Sequence, residues 1–490
     1  MLSKSKIMRG KQCHKSLWLY NHQPQLRAIS DAQEAIFQAG TDVGLLAQKV
    51  FPGGVDATTG HDYPNRQCAA FTRELIEAGE KVIYEATFIY DDVLVAIDIL
   101  ALENGGWNIY EVKSTTKVKA QHIPDAAVQK YVAEGCGLEI GDVFLMHLNR
   151  EYVRQGELAV HQLFTPSKIT EDVSCWDDGI APLIEEMRAV QELQTMPKID
   201  IGPHCSNPYS CDFKQHCWQH VPAYSIFNIA RIGDKAWELY NKGILNIEDV
   251  PTDFPLNPSQ QAQVNAEKNG EELTNTQSIR DFLGELSYPL YYLDFETFMS
   301  PVPILDQTRP FDQIVFQYSL HVQNRVNGPC EHHDFLAEAN GEDPRPAFIK
   351  KLISDCSTSG SIVVYNQGFE VARLNELALA FPAYAEDLQK LITRIVDLMK
   401  PFQQKAYYTA AMLGKYSIKN VLPALVPDLA YDDLAIGDGG TASATFFALF
   451  EGRFEGNEED AIQNLLDYCE RDTWAMVVLM KKLYELSAIN

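Results

Sequence analysis

Residues 291–298 read YYLDFETF, and this stretch places two carboxylates, Asp294 and Glu296, among aromatic side chains and a leucine. In a β-strand, residues i and i+2 point to the same face, so the two acids are expected side by side. Buried charges are costly unless they are paired or bound to a metal ion. The stretch is therefore either a half-exposed edge strand or a strand whose acids hold a cation.

Two later stretches add acids of the same kind. Residues 363–374 read VVYNQGFEVARL, a β-run that leads into a helix with Glu370 near the junction. Residues 467–479 read DYCERDTWAMVVL, a helical pattern in which Tyr468 and Asp472 share one face. Acids from a strand, a helix start and a late helix can converge on two divalent cations about 3.5–4 Å apart, which hold the attacking and leaving oxygens of a phosphodiester. Oxygen ligands favour Mg²⁺ or Mn²⁺.

The order of these three patterns resembles that of the DEDD exonucleases of the DnaQ type. The resemblance implies that Asp294, Glu296 and Asp472 are metal ligands and that Tyr468 orients the attacking water. The second motif of that family normally ends in Asp, whereas this chain has Glu370, one methylene longer, which we expect to serve as a further ligand. Each pattern taken alone also fits a solvent-facing strand or a surface helix.

A second group of acids lies in the first half of the chain, on two runs that read VAIDIL and IYEVKS. They carry Asp98 and, two residues apart on one strand face, Glu111 and Lys113. Asp98 and Glu111 would bind Mg²⁺, and the ammonium of Lys113 would lower the pKa of the attacking water or orient it. This D…E-x-K arrangement resembles that of the PD-(D/E)XK nucleases.

Turn chemistry predicts the register of these strands. A two-residue type I′ turn at Asn104-Gly105 places Asp98 directly opposite Glu111. The same kind of turn at Asp91-Asp92 places Glu85 opposite Asp98. Opposed residues have Cβ atoms about 4.5–5.5 Å apart, so three acids in a row repel one another unless a cation lies among them. A bulge in the first of these turns would rotate Glu111 to the opposite face.

The cysteines indicate a further metal site. Cys205, Cys211 and Cys217 form a C-x5-C-x5-C pattern, and Cys13 lies near the start of the chain. Four thiolates fit a [4Fe–4S] cluster, and they also fit structural zinc. The set resembles that of RecB-type nucleases, including the CRISPR-adaptation exonucleases, which hold a [4Fe–4S] cluster with one N-terminal and three C-terminal cysteines. The spacing here is wider than the usual C-x2-C-x5-C.

Two details bear on this second resemblance. Gln129, in DAAVQKYV, falls where the family has a helical glutamine that contacts the substrate near the metal. The family often has G-x-x-x-H on an early helix, whereas GTDVG puts Gly44 where the histidine would be. We therefore expect Glu85 or Gln48 to replace that ligand.

Composition narrows the class of protein. The chain has 490 residues with 46% hydrophobic residues, which predicts two or three globular domains. Its formal charge of −26 argues against a surface that is basic throughout. Residues 1–30, however, hold six basic residues and no acid, and we expect them to contact a phosphate backbone. We identify no membrane span and no secretory signal, so we expect a cytoplasmic protein that does not bind membranes.

We therefore expect an α/β multidomain protein. Residues 1–220 are predicted to form a PD-(D/E)XK restriction-endonuclease-like domain with the four-cysteine cluster, 221–288 a helical connector, and 289–490 an RNase H-like (DnaQ-type) α/β domain. The expected function is Mg²⁺- or Mn²⁺-dependent processing of DNA ends, single-stranded ends included, in DNA repair or in defence against foreign DNA. The alternative is that one centre cuts while the other domain is a nucleic-acid-binding or partner-recruiting scaffold with a degenerate site.

Overall fold

The computed structural model describes residues 1–29, 31–356 and 359–488. The chain divides into two compact units, formed by residues 1–220 with 300–312 and by residues 221–299 with 313–490. Each unit combines helices with a β-sheet, so the protein has an α/β multidomain architecture. Among the described residues, no helix has both the length and the apolar character that crossing a membrane requires.

The first unit is built on a seven-stranded sheet. Its strands are Leu2–Ser3 (β1), Val55–Asp56 (β2), Val82–Tyr90 (β3), Val93–Glu103 (β4), Gly106–Lys113 (β5), Ile140–Leu148 (β6) and Phe164–Lys168 (β7). The order is β2-β3-β4-β5-β6-β7, with β1 beside β4. Strands β3, β4 and β5 form an antiparallel meander, and β6 joins β5 in parallel through a helical crossover.

Nine α-helices accompany this sheet in the described part of the first unit. They are Lys4–Gln12 (α1), His14–His22 (α2), Asp31–Gln48 (α3), Arg66–Ala78 (α4), His122–Gly135 (α5), Val160–Leu163 (α6), Thr170–Ser174 (α7), Asp177–Glu192 (α8) and Lys214–Cys217 (α9). Apolar side chains of β4 and β5, such as Val95 and Ile109, form a buried core with Leu17 of α2 and Ile184 of α8. This core fixes the strands that carry the predicted acids.

Two tight turns set the register of the meander. Both residues of Asp91-Asp92 have positive φ, at 50° and 52°, and so do those of Asn104-Gly105, at 51° and 88°. This is the type I′ geometry that matches the twist of antiparallel strands. The ladders run as predicted, and extending the pairs on either side opposes Asp98 to Glu111 and Glu85 to Asp98. The bulge that would have turned Glu111 away is not present in this described hairpin.

The second unit contains a five-stranded mixed sheet and a two-stranded ribbon. Its strands are Leu273–Thr274 (β8), Leu290–Met299 (β9), Gln313–Gln323 (β10), Cys330–Leu336 (β11), Ser361–Val364 (β12), Ile395–Asp397 (β13) and Tyr407–Tyr408 (β14). The larger sheet has the order β11-β10-β9-β12-β13. Strand β9 is antiparallel to β10 and parallel to β12, which in turn is parallel to β13.

Ten α-helices belong to the described part of the second unit. They are Lys235–Asn241 (α10), Pro258–Asn269 (α11), Thr276–Gly284 (α12), Arg345–Asp355 (α13), Gly368–Ala380 (α14), Ala385–Ile392 (α15), Lys400–Gln403 (α16), Ile418–Leu425 (α17), Gly439–Phe450 (α18) and Glu458–Ser487 (α19). Helix α19 begins at the cap residue Asn457, whose side chain accepts hydrogen bonds from two helix N–H groups. It packs on β9 and β10.

Strand β9, which contains YYLDFETF, lies at the centre of the larger sheet. Tyr291, Leu293 and Phe295 belong to a buried core with α13 and α14. The intervening acids Asp294 and Glu296 point to the other face, because side chains alternate along a strand. The edge-strand interpretation of this stretch is therefore wrong.

The division of the chain differs from the predicted domains in two respects. Residues 221–288, predicted as a connector, cluster with the second unit, and their strand β8 pairs with β14 of that unit. Residues 300–312, predicted within the C-terminal domain, cluster with the first unit, where Arg154 donates hydrogen bonds to two of their carbonyl oxygens. Composition did not indicate either packing, because both depend on contacts between residues distant in sequence.

Candidate metal centres

The four acids predicted as ligands in the second unit converge on one region. Asp294 and Glu296 lie on β9, Glu370 lies in the first turn of α14, and Asp472 lies on α19. One ligand atom each of Asp294, Glu296 and the buried Cys469 lies within 4.8 Å of the other two. Glu370 and Asp472 are close enough to Asp294 to raise the pKa of its carboxyl.

The acids of this centre hold protons more tightly than exposed carboxyls do. Burial raises the pKa of Asp294 well above its usual range, and the neighbouring Asp472, Glu296 and Glu370 raise it further. Burial, with Asp472 next, raises the pKa of Glu296 to about 8. Burial also raises the pKa of Asp472. Ionising the whole group at neutral pH therefore requires added positive charge, which a divalent cation supplies.

Glu370 lies near the other acids, close enough to raise the pKa values of Asp294 and Glu296. Its side chain is 2% exposed, and its Oε2 atom is buried with no hydrogen-bond partner among the described residues. Burial raises its pKa to about 8. The turn before α14 is fixed by Asp397, whose Oδ1 accepts hydrogen bonds from the N–H groups of Asn366, at 3.0 Å, and Met399, at 2.9 Å. Asp397 thus has a structural role, while Glu370 leaves an oxygen available to a ligand.

Three polar side chains surround Asp472. Tyr431 donates a hydrogen bond to Asp472 Oδ1 at 2.5 Å, and Lys419 Nζ donates to the Tyr468 hydroxyl oxygen at 3.1 Å. Lys419 also lowers the pKa values of Asp294 and Asp472 against the effect of burial. Sequence reasoning found Tyr468 but missed Lys419 and Tyr431, since no short spacing relates them to the acids.

In the first unit, Glu111 lies at the centre of the predicted group. The Nζ atoms of Lys113 and Lys4 each lie 2.7 Å from its Oε1, and Gln129 Nε2 donates to its Oε2 at 2.6 Å. Burial opposes ionisation of Glu111, but the two ammonium groups outweigh it and hold the pKa of this carboxyl below its usual range. Lys4 was not predicted as a site residue. It reaches Glu111 from the N-terminal helix α1.

The other two acids of this group lie beside Glu111. Asp98 Oδ2 accepts a hydrogen bond from the Val112 N–H at 2.6 Å, and burial followed by the Glu111 charge raises its pKa well above its usual range. Burial and then Asp56 raise the pKa of Glu85 to about 7. Glu85 has a positive φ of 48° within β3, a conformation that costs about 1–3 kcal/mol and is common at functional sites. Asp56, which the sequence did not single out, is thus the acid with the largest effect on the pKa of Glu85.

Lys113 and Gln129 both contact more than one group. Lys113 Nζ also lies 3.0 Å from Asp125 Oδ2, and the Glu111 and Asp125 charges raise the pKa of this ammonium although burial lowers it. Lys113 therefore remains an ammonium group at neutral pH. Gln129 Nε2 also donates to the Ala96 carbonyl at 3.0 Å, while its Oε1 is buried with no hydrogen-bond partner in the described segments.

The four predicted cluster cysteines come together around one cavity of the first unit. Cys13 separates α1 from α2, and Cys205, Cys211 and Cys217 line the same cavity from the end of the unit. Burial raises the pKa of the Cys13 thiol, and the nearby sulfurs of Cys211 and Cys205 raise it further. All ten cysteines lie in described segments, and all are free thiols.

The basic N-terminal segment is partly engaged within the first unit. Arg9 and Arg27 both contact Asp212, at 2.8 Å each, and Lys4 contacts Glu111. Three of the six basic side chains expected to contact phosphate are thus paired with acids of the same unit. This pairing reduces the basic surface predicted from the sequence.

The family model and the relatives that match this chain carry no assigned activity. A family model described as a domain of unknown function (DUF2779) matches residues 291–417. An uncharacterized protein of Ureaplasma parvum is 26% identical over 294 residues, which cover 54% of this chain and 42% of that protein. An uncharacterized protein of Mycoplasma pneumoniae is 29% identical over 207 residues, 38% of this chain and 31% of that protein. The chain spans less than half the length of these curated relatives.

The segment that matches the family model starts within β9. It includes Asp294, Glu296 and Glu370, and it ends before Lys419 and Asp472. The similarity therefore covers three of the four converging acids and omits the long helix that supplies the fourth.

Proposed function

We propose that the protein is a Mg²⁺- or Mn²⁺-dependent nuclease with two centres that processes DNA ends. The observation that carries the proposal is the convergence of the half-buried Asp294 with the buried acids Glu296, Glu370 and Asp472 in the second unit. A group of this kind is strongly unfavourable unless cations bind to it. Two divalent cations held by such carboxylates clamp the attacking and leaving oxygens during phosphodiester hydrolysis.

The residues of the second centre divide into ligands and orienting groups. The carboxylates hold the cations, whose chemistry when bound is to polarise the phosphoryl group and generate a hydroxide nucleophile. Tyr468 remains a phenol, because burial raises its pKa far above the usual range, and its hydroxyl orients water beside Asp472. Lys419, next to that hydroxyl, contributes positive charge at the place where negative charge develops on the phosphate. We infer from these roles an RNase H-like (DnaQ-type) fold for this unit.

The first unit is proposed to be a PD-(D/E)XK nuclease domain. Asp98 and Glu111 would hold one cation, with Glu85 as a further ligand, and Lys113 would orient the attacking water. The buried Oε1 of Gln129, which has no hydrogen-bond partner among the described residues, lies next to this group and would fit a contact with substrate. The antiparallel meander that aligns the three acids supports this proposal.

A [4Fe–4S] cluster is proposed for Cys13, Cys205, Cys211 and Cys217. Zinc with four thiolates has Zn–S distances of about 2.3 Å in a tetrahedron, which brings the sulfurs to within about 4 Å of one another. The same four thiolates fit structural zinc as the alternative to the cluster. Its role would be structural, since it would join the start of the unit to its end.

The runner-up is a protein with one active centre, and one observation favours it. In the first unit both oxygens of Glu111 already have partners, because Lys4 and Lys113 contact Oε1 and Gln129 contacts Oε2. A cation at Oε1 must displace an ammonium group, whereas Oε2 keeps one lone pair beside the hydrogen bond from Gln129. In this alternative the first unit binds and positions the strand, and the second unit cuts it. Both versions fit a role in DNA repair or in defence against foreign DNA.

The test is a cleavage assay on the full chain with Mg²⁺ or Mn²⁺. Single- and double-stranded DNA and RNA, labelled at each end, are compared for wild type, Asp294→Asn, Glu111→Gln and the double variant. Exposed acids give the matched controls Asp334→Asn and Glu77→Gln. We expect metal-dependent cleavage of DNA in wild type and none in the double variant. Loss in Asp294→Asn alone would identify the single-centre version, and full activity of the double variant, or an inactive wild type, would refute the proposal.

A further inference from the structure

A group of two histidines and a glutamate lies in the second unit, apart from the four acids. His321 lies on β10, His332 on β11 and Glu470 on α19. One ligand atom of each lies within 4.8 Å of the other two. The two imidazole rings are stacked with centroids 4.6 Å apart, and His332 Nδ1 lies 3.9 Å from Glu470 Oε1. The proposed nuclease centres make no use of these side chains.

In each ring, one nitrogen lies within hydrogen-bond distance of a hydroxyl group. His321 Nδ1 lies 2.9 Å from the Thr473 hydroxyl, and His332 Nε2 lies 2.9 Å from the Ser319 hydroxyl. The two hydroxyls lie 2.7 Å from each other, and the Thr473 hydroxyl lies 3.1 Å from the main-chain carbonyl oxygen of Glu470. The four contacts form one continuous chain.

A single placement of protons satisfies all four contacts. The Glu470 carbonyl can only accept, so the Thr473 hydroxyl donates its one proton there. Ser319 must then donate to Thr473, and each imidazole must donate from the nitrogen that faces a hydroxyl. For neutral rings this placement leaves lone pairs on His321 Nε2 and His332 Nδ1. Each ring then has the tautomer and orientation of a metal-ligating histidine, fixed by an outer hydrogen bond.

We propose that His321, His332 and Glu470 form a binding site for a divalent transition-metal ion of the zinc type. Two imidazole nitrogens and a carboxylate oxygen are a common zinc ligand set, with water in the fourth position. Imidazole nitrogen favours zinc, copper or nickel over Mg²⁺, so this site selects a different metal from the all-carboxylate centre.

The exposure of the site allows an ion to enter from solvent, and its position would let a bound ion link the sheet to a helix. The His332 side chain is 30% exposed and that of Glu470 is 50% exposed, so an ion reaches the site from solvent, whereas His321 is buried. A bound ion would join the β10–β11 hairpin to α19. The same helix carries Asp472 and Tyr468, each less than one turn from Glu470, so the ion would hold this part of the helix in place against the sheet.

Zinc binding to the full chain tests the proposal. Metal-stripped protein is titrated with zinc by calorimetry and by equilibrium dialysis, for wild type, His332→Gln, Glu470→Gln and the control His333→Gln. His333 is the next residue of β11 and points to the opposite face, so it receives the same substitution without touching the site. Zinc taken up elsewhere in the chain is common to all four proteins and cancels in the comparison.

We expect both site variants to bind one zinc ion fewer per chain than wild type and His333→Gln. We also expect zinc to raise the thermal midpoint of wild type and the control more than that of the variants. Glu470→Gln changes a half-exposed side chain, so folding should be preserved even if His332→Gln proves unstable. Equal zinc stoichiometry and affinity in Glu470→Gln and wild type would overturn the proposal.

Discussion

Replacing Glu370 by glutamine is a direct test of the electrostatic argument for the second centre. Burial raises the pKa of this carboxyl from 4.5 to about 8. A tenfold change in an acid dissociation constant corresponds to about 1.4 kcal/mol, so a pKa raised from 4.5 to about 8 corresponds to about 5 kcal/mol. Glutamine has nearly the same shape and cannot ionise, and it therefore removes this electrostatic cost at high pH.

The sign of the effect follows from proton linkage. Below pH 4.5 both the folded and the unfolded chain bind the Glu370 proton, so the raised pKa has no effect on stability. Between pH 4.5 and pH 8 the folded chain keeps a proton that the unfolded chain has lost, and the free energy of unfolding falls as the pH rises. Above pH 8 the whole cost is present. A buried amide without a partner costs about 1–3 kcal/mol at every pH.

We therefore expect Glu370→Gln to be less stable than wild type at pH 5 and more stable at pH 8. The difference between the two proteins should change by about 3–4 kcal/mol over this range. The matched control is Glu376→Gln on the same helix, because Glu376 is 53% exposed and pairs with Arg373. The control should show no such dependence on pH.

The assay is urea unfolding of the full chain in EDTA at pH 5, 6, 7 and 8, following the transition of the second unit. Adding Mn²⁺ at pH 8 should raise the midpoint of wild type and of the control, because the cation supplies the charge that the carboxylates lack. The same addition should have much less effect on Glu370→Gln. A stability difference that stays constant from pH 5 to pH 8 would refute the reasoning, and so would equal stabilisation of the variant by Mn²⁺.

Two further predictions concern the first unit. Wild type purified without oxygen should be brown from the proposed iron–sulfur cluster. Cys13→Ser should lose this colour and should make the first unit more sensitive to proteolysis. The control Cys136→Ser, at an exposed cysteine, should do neither. One equivalent of zinc without iron would contradict the cluster. In an Asp294→Asn background, Lys4→Met should lower the Mg²⁺ concentration needed for cleavage roughly tenfold. The contact of Lys4 with Glu111 competes with the cation, and a contact to a charged group contributes about 1.5–3 kcal/mol. An unchanged Mg²⁺ requirement would contradict that competition.

The alignment of acids in the first unit was predictable because it depends on local chemistry. Asn104-Gly105 and Asp91-Asp92 tolerate positive φ, and a two-residue loop leaves a single register for the strands on either side. Glu85, Asp98 and Glu111 then follow by counting from the turns. Spacing along α19 predicted in the same way that Tyr468 and Asp472 share a face.

The lysine side chains that place positive charge beside the acids were not predictable in this manner. Lys4 reaches Glu111 from a distance of 107 residues in the sequence, and Lys419 reaches Tyr468 from a separate helix. Their positions depend on how helices pack, and no repeat or spacing encodes that. The pair His321 and His332 was missed because the two residues oppose each other only through the register of β10 with β11, which no tight turn predicted.

The two centres neutralise their acids in different ways, and this difference bears on how each would take up a metal. In the first unit, ammonium groups contact Glu111 and keep it ionised, so a cation competes mainly with Lys4 and Lys113. In the second unit, burial keeps protons on Glu296 and Glu370 up to about pH 8, so a cation competes mainly with protons. Metal uptake by the second centre would therefore release protons and strengthen as the pH rises. Uptake at Oε1 of Glu111 in the first centre would instead require a lysine side chain to move.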